Sequence, residues 1–152
     1  MIARNAIARG WIVIMSKQKV FIDTNIFLYS FDISEPVKRV TAMRTINNLN
    51  ERQTVVISTQ VMQEFYHNFT RKRNAHHMIA EEVTRGMTRF EVTTTRPQDV
   101  LEAIRISQAD QISFWDALII AAAVKTNCSE LYTEDLNNGQ VIQGVKVVNP
   151  FV

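Results

Sequence analysis

The spacing of apolar and polar residues changes several times along this chain, and each change marks an element. Short apolar runs rich in β-branched residues occur at Val20–Ile22, Val55–Ile57 and Val145–Val148, and Phe90–Thr94 and Leu131–Thr133 share strand composition. Between them apolar residues recur at helical spacing. Thr24 and Asn25 open a short helix through Ile26 to Tyr29. Ser34 as N-cap and Pro36 in the first turn predict a helix running to about Leu49, with Val37, Val40, Met43 and Ile46 on one stripe. Ser58 or Thr59 caps a helix bearing Val61, Met62, Phe65 and Phe69, and Asn74 caps one bearing Met78, Ile79, Val83 and Met87. Pro97 starts a helix containing Val100, Leu101, Ile104 and Ile106. The helix after Ser113 differs: Ala117 to Val124 is apolar on all sides, which predicts a central, buried helix. Alternating strands and helices predict an α/β sandwich with a parallel sheet.

Size and composition add bounds rather than a function. With 152 residues, four Gly and three Pro, the chain has room for one domain and little for linkers. A hydrophobic fraction of 46% and a mean hydropathy of -0.08 are those of a soluble globular protein. A single cysteine, Cys128, excludes an internal disulfide and fits a cytoplasmic location; it follows an apolar helix and reads as a structural thiol. The run Trp11–Met15 is too short for a signal segment or a membrane span. Met15-Ser16-Lys17 reads as a start immediately before the first strand. Residues 1–16 are therefore read as an N-terminal extension and residues 17–152 as the domain. A net charge of +2 is too mild to indicate nucleic acid by itself. It gains weight if several acids are gathered in one place, because the remaining surface is then more basic.

Four acids sit where such a gathering can occur. Asp23 ends the first strand, where open α/β sheets place their chemistry, and Asp135 follows the strand at Leu131–Thr133. Glu64 flanks the apolar arc of its helix, and Asp116 lies in the first turn of the all-apolar helix. Each has a plain alternative. Asp23 can be a turn or cap residue, Glu64 an ordinary solvated acid, and Asp135 part of a polar loop. Ser113 and Asp116 have the spacing of a capping box. Taken together, four acids at corresponding positions favour a divalent metal. Oxygen ligands without a His or Cys cluster select Mg²⁺ or Mn²⁺, and His67, His76 and His77 make no zinc motif.

The stretches Phe21-Ile22-Asp23-Thr24-Asn25, Gln63-Glu64-Phe65, Phe114-Trp115-Asp116-Ala117-Leu118-Ile119, Thr133-Glu134-Asp135-Leu136 and Gly144 to Phe151 resemble the PIN-domain nucleases. The likeness covers Lys19 to Val152. It implies a three-layer sandwich with a central parallel sheet flanked by helices. It also implies a metal-dependent ribonuclease whose acidic site is Asp23, Glu64, Asp116 and Asp135. Thr24, Asn25 and Thr133 match polar positions that support the acids, and Glu134 is a fifth acid beside them. Small single-domain members are mostly VapC-like toxins of toxin–antitoxin pairs, often homodimeric, which implies an antitoxin partner and an RNA substrate. Arg71, Lys72 and Arg73, at the end of the helix bearing Glu64, are the cations placed to steer RNA; cations near a helix C-terminus are also favourable in their own right. Two other readings stand beside this one. A catalytically degenerate module could serve as an RNA-binding or assembly surface. A haloacid-dehalogenase-like phosphatase would need a second Asp two residues after Asp23, where this chain has Asn25.

Overall fold

The computed structural model of the protein describes residues 16–72 and 76–152. Most of the proposed N-terminal extension, together with Arg73 and Asn74, lies outside the described residues.

Among the described residues six strands form one sheet: β1 (Lys19–Ile22), β2 (Thr54–Ser58), β3 (Glu91–Thr93), β4 (Glu130–Tyr132), β5 (Val141–Ile142) and β6 (Val145–Val148). Their order is β3-β2-β1-β4-β6-β5. The first four and β6 pair in parallel, with Val20 opposite both Val55 and Glu130. Val20, Phe21 and Ile22 are fully buried, as continuous apolar runs in a covered parallel sheet should be. The chain builds β1 to β3 toward one edge, then returns to place β4 on the other side of β1. The switch point of the sheet therefore lies between the carboxyl ends of β1 and β4, the crevice where such sheets bind ligands. Asp23 and Thr133 are the first residues beyond those two ends.

The edge pair β5–β6 is antiparallel, which the alternation of elements did not predict. Its two turn residues, Gln143 and Gly144, both have positive φ, 52° and 82°. That backbone is the one a two-residue hairpin needs to match the twist of its strands.

Among the described residues six helices flank the sheet: α1 (Thr24–Ser30), α2 (Pro36–Arg52), α3 (Thr59–Lys72), α4 (His77–Met87), α5 (Pro97–Asp110) and α6 (Phe114–Lys125). The all-apolar helix is central as predicted. Ala117 to Ala123 are all buried, and α6 packs against α5 and against β2, β4 and β6. Asp99 of α5 fixes that packing. It closes a capping box with Arg96 and accepts from Lys125 of α6 at 2.5 Å.

Of the stripe expected on α2, Ile46 packs against the core and the other three residues do not. Val37 is 79% exposed, and Val40 and Met43 are exposed with it; the helix buries Ala42 and Leu49 instead. Ser34 is not its cap. The Ser34 amide and hydroxyl both donate to Asp32 Oδ1, at 3.0 and 2.6 Å, and Glu35 stands at the N-cap without a side-chain bond. The α3 cap is Ser58, whose hydroxyl accepts from Val61 N at 3.4 Å, and α4 is capped by the His76 ring at 3.2 Å from Met78 N. Leu101 and Ile104 of α5 are also exposed, while Ala103 and Ile106 take the buried face.

Candidate active site

Three separate pieces of local logic bring the acids to one place. Asp23 ends β1 and caps α1, accepting from Thr24 N at 2.7 Å, so backbone geometry aims it into the crevice. Glu64 comes from the middle of α3, and Asp116 from the first turn of α6, where Ser113 caps the helix. Ser113 Oγ accepts from Asp116 N at 3.1 Å and donates to Asp116 Oδ2 at 2.6 Å, so the capping reading of that pair holds. Asp135 lies two residues beyond Thr133 in the loop after β4. All four acids line a single cavity of about 250 Å³, together with Thr24, Asn25, Gln60, Asn68 and Trp115.

Uncharged donors hold the carboxylates. Thr133 Oγ1 donates to Asp23 Oδ2 at 2.8 Å, and Thr24 Oγ1 donates to Glu64 Oε2 at 2.9 Å. Asn25 Nδ2 donates to Asp135 Oδ2 at 2.9 Å and to Thr133 Oγ1 at 3.2 Å. Thr24, Asn25 and Thr133, expected beside the acids, are thus their hydrogen-bond donors. Gln60 was not foreseen. Its Nε2 donates to Glu64 Oε1 at 2.8 Å and to the Trp115 carbonyl at 3.5 Å, tying the two acid-bearing helices together. It precedes Glu64 by four residues, the one sequence signal that could have found it.

Burial pushes Asp23 up to about 7, against the bonds from Thr133 and Thr24, and the charges of Asp135 and Glu64 push the same way. Asp135 is raised too, first by loss of solvent on its inner side. Its bond from Asn25 opposes this, and the charges of Asp116, Glu134 and Glu64 add to it. The charges of neighbouring acids therefore bear on Asp23 and Asp135. Asn25 Oδ1 and Gln60 Oε1, both buried in the same wall, have no hydrogen-bond partner. Hard oxygen donors, mutual repulsion and unpartnered acceptor oxygens suit a hard divalent cation. As arranged, each carboxylate is engaged by a protein donor, and among the described residues no three His, Cys, Asp or Glu side chains form a group that could hold a metal ion.

Glu134 stands apart from the four. It lines an adjoining cavity of about 310 Å³ that shares Asn25, Leu28 and Asn68 with the first. There it accepts from Tyr29 Oη at 2.8 Å and from Lys38 Nζ at 2.9 Å; Lys38 also donates to Tyr29 Oη at 3.0 Å, and its bonds to Glu134 first and Tyr29 second raise its pKa well above the ordinary lysine value. Arg71 is exposed on the last turn of α3 and is not among the residues lining either cavity; the Lys72 side chain and Arg73 lie outside what the structure describes. Cys128 is buried, and burial pushes its thiol up to about 11, which suits a structural role.

A mostly parallel α/β sheet with four acids at its switch point defines a class of domain, and the family comparison names it. The family model described as "PIN domain" matches residues 20–141, and the chain belongs to that family. No curated protein matches the chain in sequence. Among solved structures, it is similar to a chain of a toxin–antitoxin complex from Klebsiella pneumoniae. That match has a TM-score of 0.65 and 20% identity over 86% of this chain and 97% of that one. It is also similar to VapC20 of Mycobacterium tuberculosis, a sarcin–ricin-loop-cleaving toxin, with a TM-score of 0.57 and 21% identity over 74% and 86% of the two chains. A third match is a chain of VapBC2 from Rickettsia felis, solved bound to a DNA fragment of its promoter. It has a TM-score of 0.63 and 16% identity over 86% and 97%. At these identities the likeness is one of fold. The family match leaves the phosphatase alternative without support.

Proposed function

We propose that this protein is a divalent-metal-dependent endoribonuclease and the toxin of a toxin–antitoxin pair. The observation that carries the reading is the convergence of Asp23, Glu64, Asp116 and Asp135 on one cavity at the switch point of the sheet. These four carboxylates would hold Mg²⁺ or Mn²⁺, which when bound supplies an activated water and charge stabilisation at a phosphodiester. The chain's own part is to orient the acids through neutral donors. Thr133 and the Thr24 amide fix Asp23, Thr24 and Gln60 fix Glu64, Ser113 fixes Asp116, and Asn25 fixes Asp135. Arg71, Lys72 and Arg73 are the residues proposed to steer RNA toward the cavity.

The domain is proposed as residues 17–152, working in the cytoplasm as a homodimer whose activity an antitoxin restrains. The toxin–antitoxin complexes among the similar structures support that partner. Among the described residues no helix is long and apolar enough to cross a membrane. The test is cleavage of RNA by the parent, Asp23→Asn and Glu64→Gln, each with Mg²⁺ and with EDTA. Cleavage by the parent alone, and only with metal, is the expected result. Cleavage that persists in EDTA or in Asp23→Asn overturns the metal-site reading, and absence of cleavage with retained RNA binding favours the degenerate module.

A further inference from the structure

The residue immediately before Asp116 is the feature that the acidic site does not explain. Trp115 is 63% exposed, although tryptophan is among the residues most buried on average. It lines the same cavity as the four acids. Its root is fixed. It sits in the first turn of α6, its carbonyl accepts from Gln60, and its ring meets Phe114 edge-on with centroids 5.2 Å apart at 71°. The contact with Phe114 covers the indole only in part.

The surroundings say what such a ring can do. The two adjoining cavities form a trough whose described lining is acids, amides, hydroxyls and a few apolar side chains, and Lys38, which reaches Glu134 and Tyr29 there, is already paired with that acid. The four acids beside Trp115 repel a phosphate backbone. An aromatic face offers a grip that carries no charge. Stacking of an unpaired base on an aromatic side chain tolerates every sequence, because each base has a π-face.

We propose that Trp115 is a nucleobase-binding residue, on which an unpaired base of single-stranded RNA stacks beside the acidic cavity. The inference rests on the nuclease reading for its substrate class, but it predicts a contact that can be detected without cleavage. Trp115 and Trp11 are the chain's two tryptophans, so Trp11→Phe leaves Trp115 as the sole indole reporter. In the full chain carrying Trp11→Phe and Asp23→Asn, a single-stranded oligoribonucleotide of about ten nucleotides should quench that fluorescence saturably. The same sequence as a duplex should quench it far less. In steady-state cleavage, Trp115→Ala should lower kcat/KM on the order of tenfold through KM, and Trp115→Phe should recover most of the loss. Melting temperatures of the two variants should match the parent.

Cleavage by the parent with no quenching by single-stranded RNA, or a KM unchanged in Trp115→Ala, overturns this proposal and leaves the nuclease reading intact. Quenching without any cleavage by the parent does the opposite. A fluorescence change that follows protein concentration without RNA assigns the ring to a contact between copies of the chain and overturns the proposal.

Discussion

Replacing Asp23 by Asn should make the metal-free protein more stable at alkaline pH and less stable in acid. Burial lifts Asp23 from the ordinary carboxylate range to about 7. At about 1.4 kcal/mol per pH unit, holding it ionised in the folded state costs about 4 kcal/mol once the solution is well above pH 7. Asparagine removes that cost. It keeps an oxygen for the Thr24 amide, but it presents an N–H to Thr133, whose hydroxyl already accepts from Asn25 and from Asp135 N. The lost bond from Thr133 offsets about 1–2 kcal/mol. The net gain at pH 8 is about 2 kcal/mol, or about 4–8 °C in Tm for a chain of this size.

The pH dependence gives the sharper check. Below about pH 4 the residue is protonated in both folded and unfolded chains, and no ionisation cost exists. Between there and pH 7 the unfolded chain releases the proton first, so the parent loses stability as pH rises; above 7 the cost is constant. The variant lacks this slope. Thermal melts in EDTA at pH 4, 6 and 8 should therefore cross, with the variant slightly below the parent at pH 4 and above it at pH 8. Mg²⁺ at about a hundred times its Kd should raise the parent by about 2.7 kcal/mol, and the variant by much less. A variant less stable at pH 8, or a difference independent of pH, would refute the reasoning.

Asp116→Asn keeps the backbone N–H that donates to Ser113, so its Tm in EDTA should be equal to or higher than the parent's, while Mg²⁺-dependent cleavage is lost. An active variant with lowered stability would leave Asp116 as a cap and nothing more. Asp99→Asn should cost about 2 kcal/mol at pH 7, because it removes a carboxylate shared by Arg96 and half-buried Lys125. Arg96 above all, and Lys125 with it, hold Asp99 well below the usual carboxylate range. Its contribution is therefore full above about pH 4 and fades as pH falls further, so urea midpoints of parent and variant should converge in acid. A difference that stays constant from pH 7 to pH 3 would count against this.

The sheet was legible from the chain wherever burial on both faces forced continuous apolar runs, as at Val20–Ile22 and Val55–Ile57. So was α6, because no amphipathic helix is apolar on every side. The α2 stripe misled for the opposite reason. Val37, Val40 and Met43 have the spacing of a core face, but spacing does not say which side of a helix the rest of the chain covers, and here Ala42 and Leu49 face inward. The β5 strand escaped notice because two residues carry too little period to read, although Gln143-Gly144 held the hairpin signal. Among the candidate site residues, Asp23, Asp116 and Asp135 stood out as charges at element ends, while Glu64, in the middle of α3, was marked only by its place beside an apolar arc. Gln60 and Lys38 did not, since an amide and a lysine on helices have many ordinary uses until their partners are seen.

The way this chain treats its other carboxylates gives the four acids their meaning. Asp99 is met by Arg96 and Lys125, Glu134 by Lys38, and Glu91 by Lys19 at 2.7 Å. Among the described residues no ion pair joins Asp23, Glu64, Asp116 or Asp135 to a cation. They are held by Thr24, Thr133, Asn25, Gln60 and Ser113, which orient a carboxylate while leaving its charge in place. A lysine in the same position would neutralise the acid and cancel the field that attracts a divalent ion. Neutral donors keep that field, at the cost of the repulsion and burial that lift Asp23 to about 7. A fold selected for stability alone would put cations among these acids, as it does around Asp99. Hydroxyls and amides stand in that place here, which is compatible with the divalent-metal site proposed above.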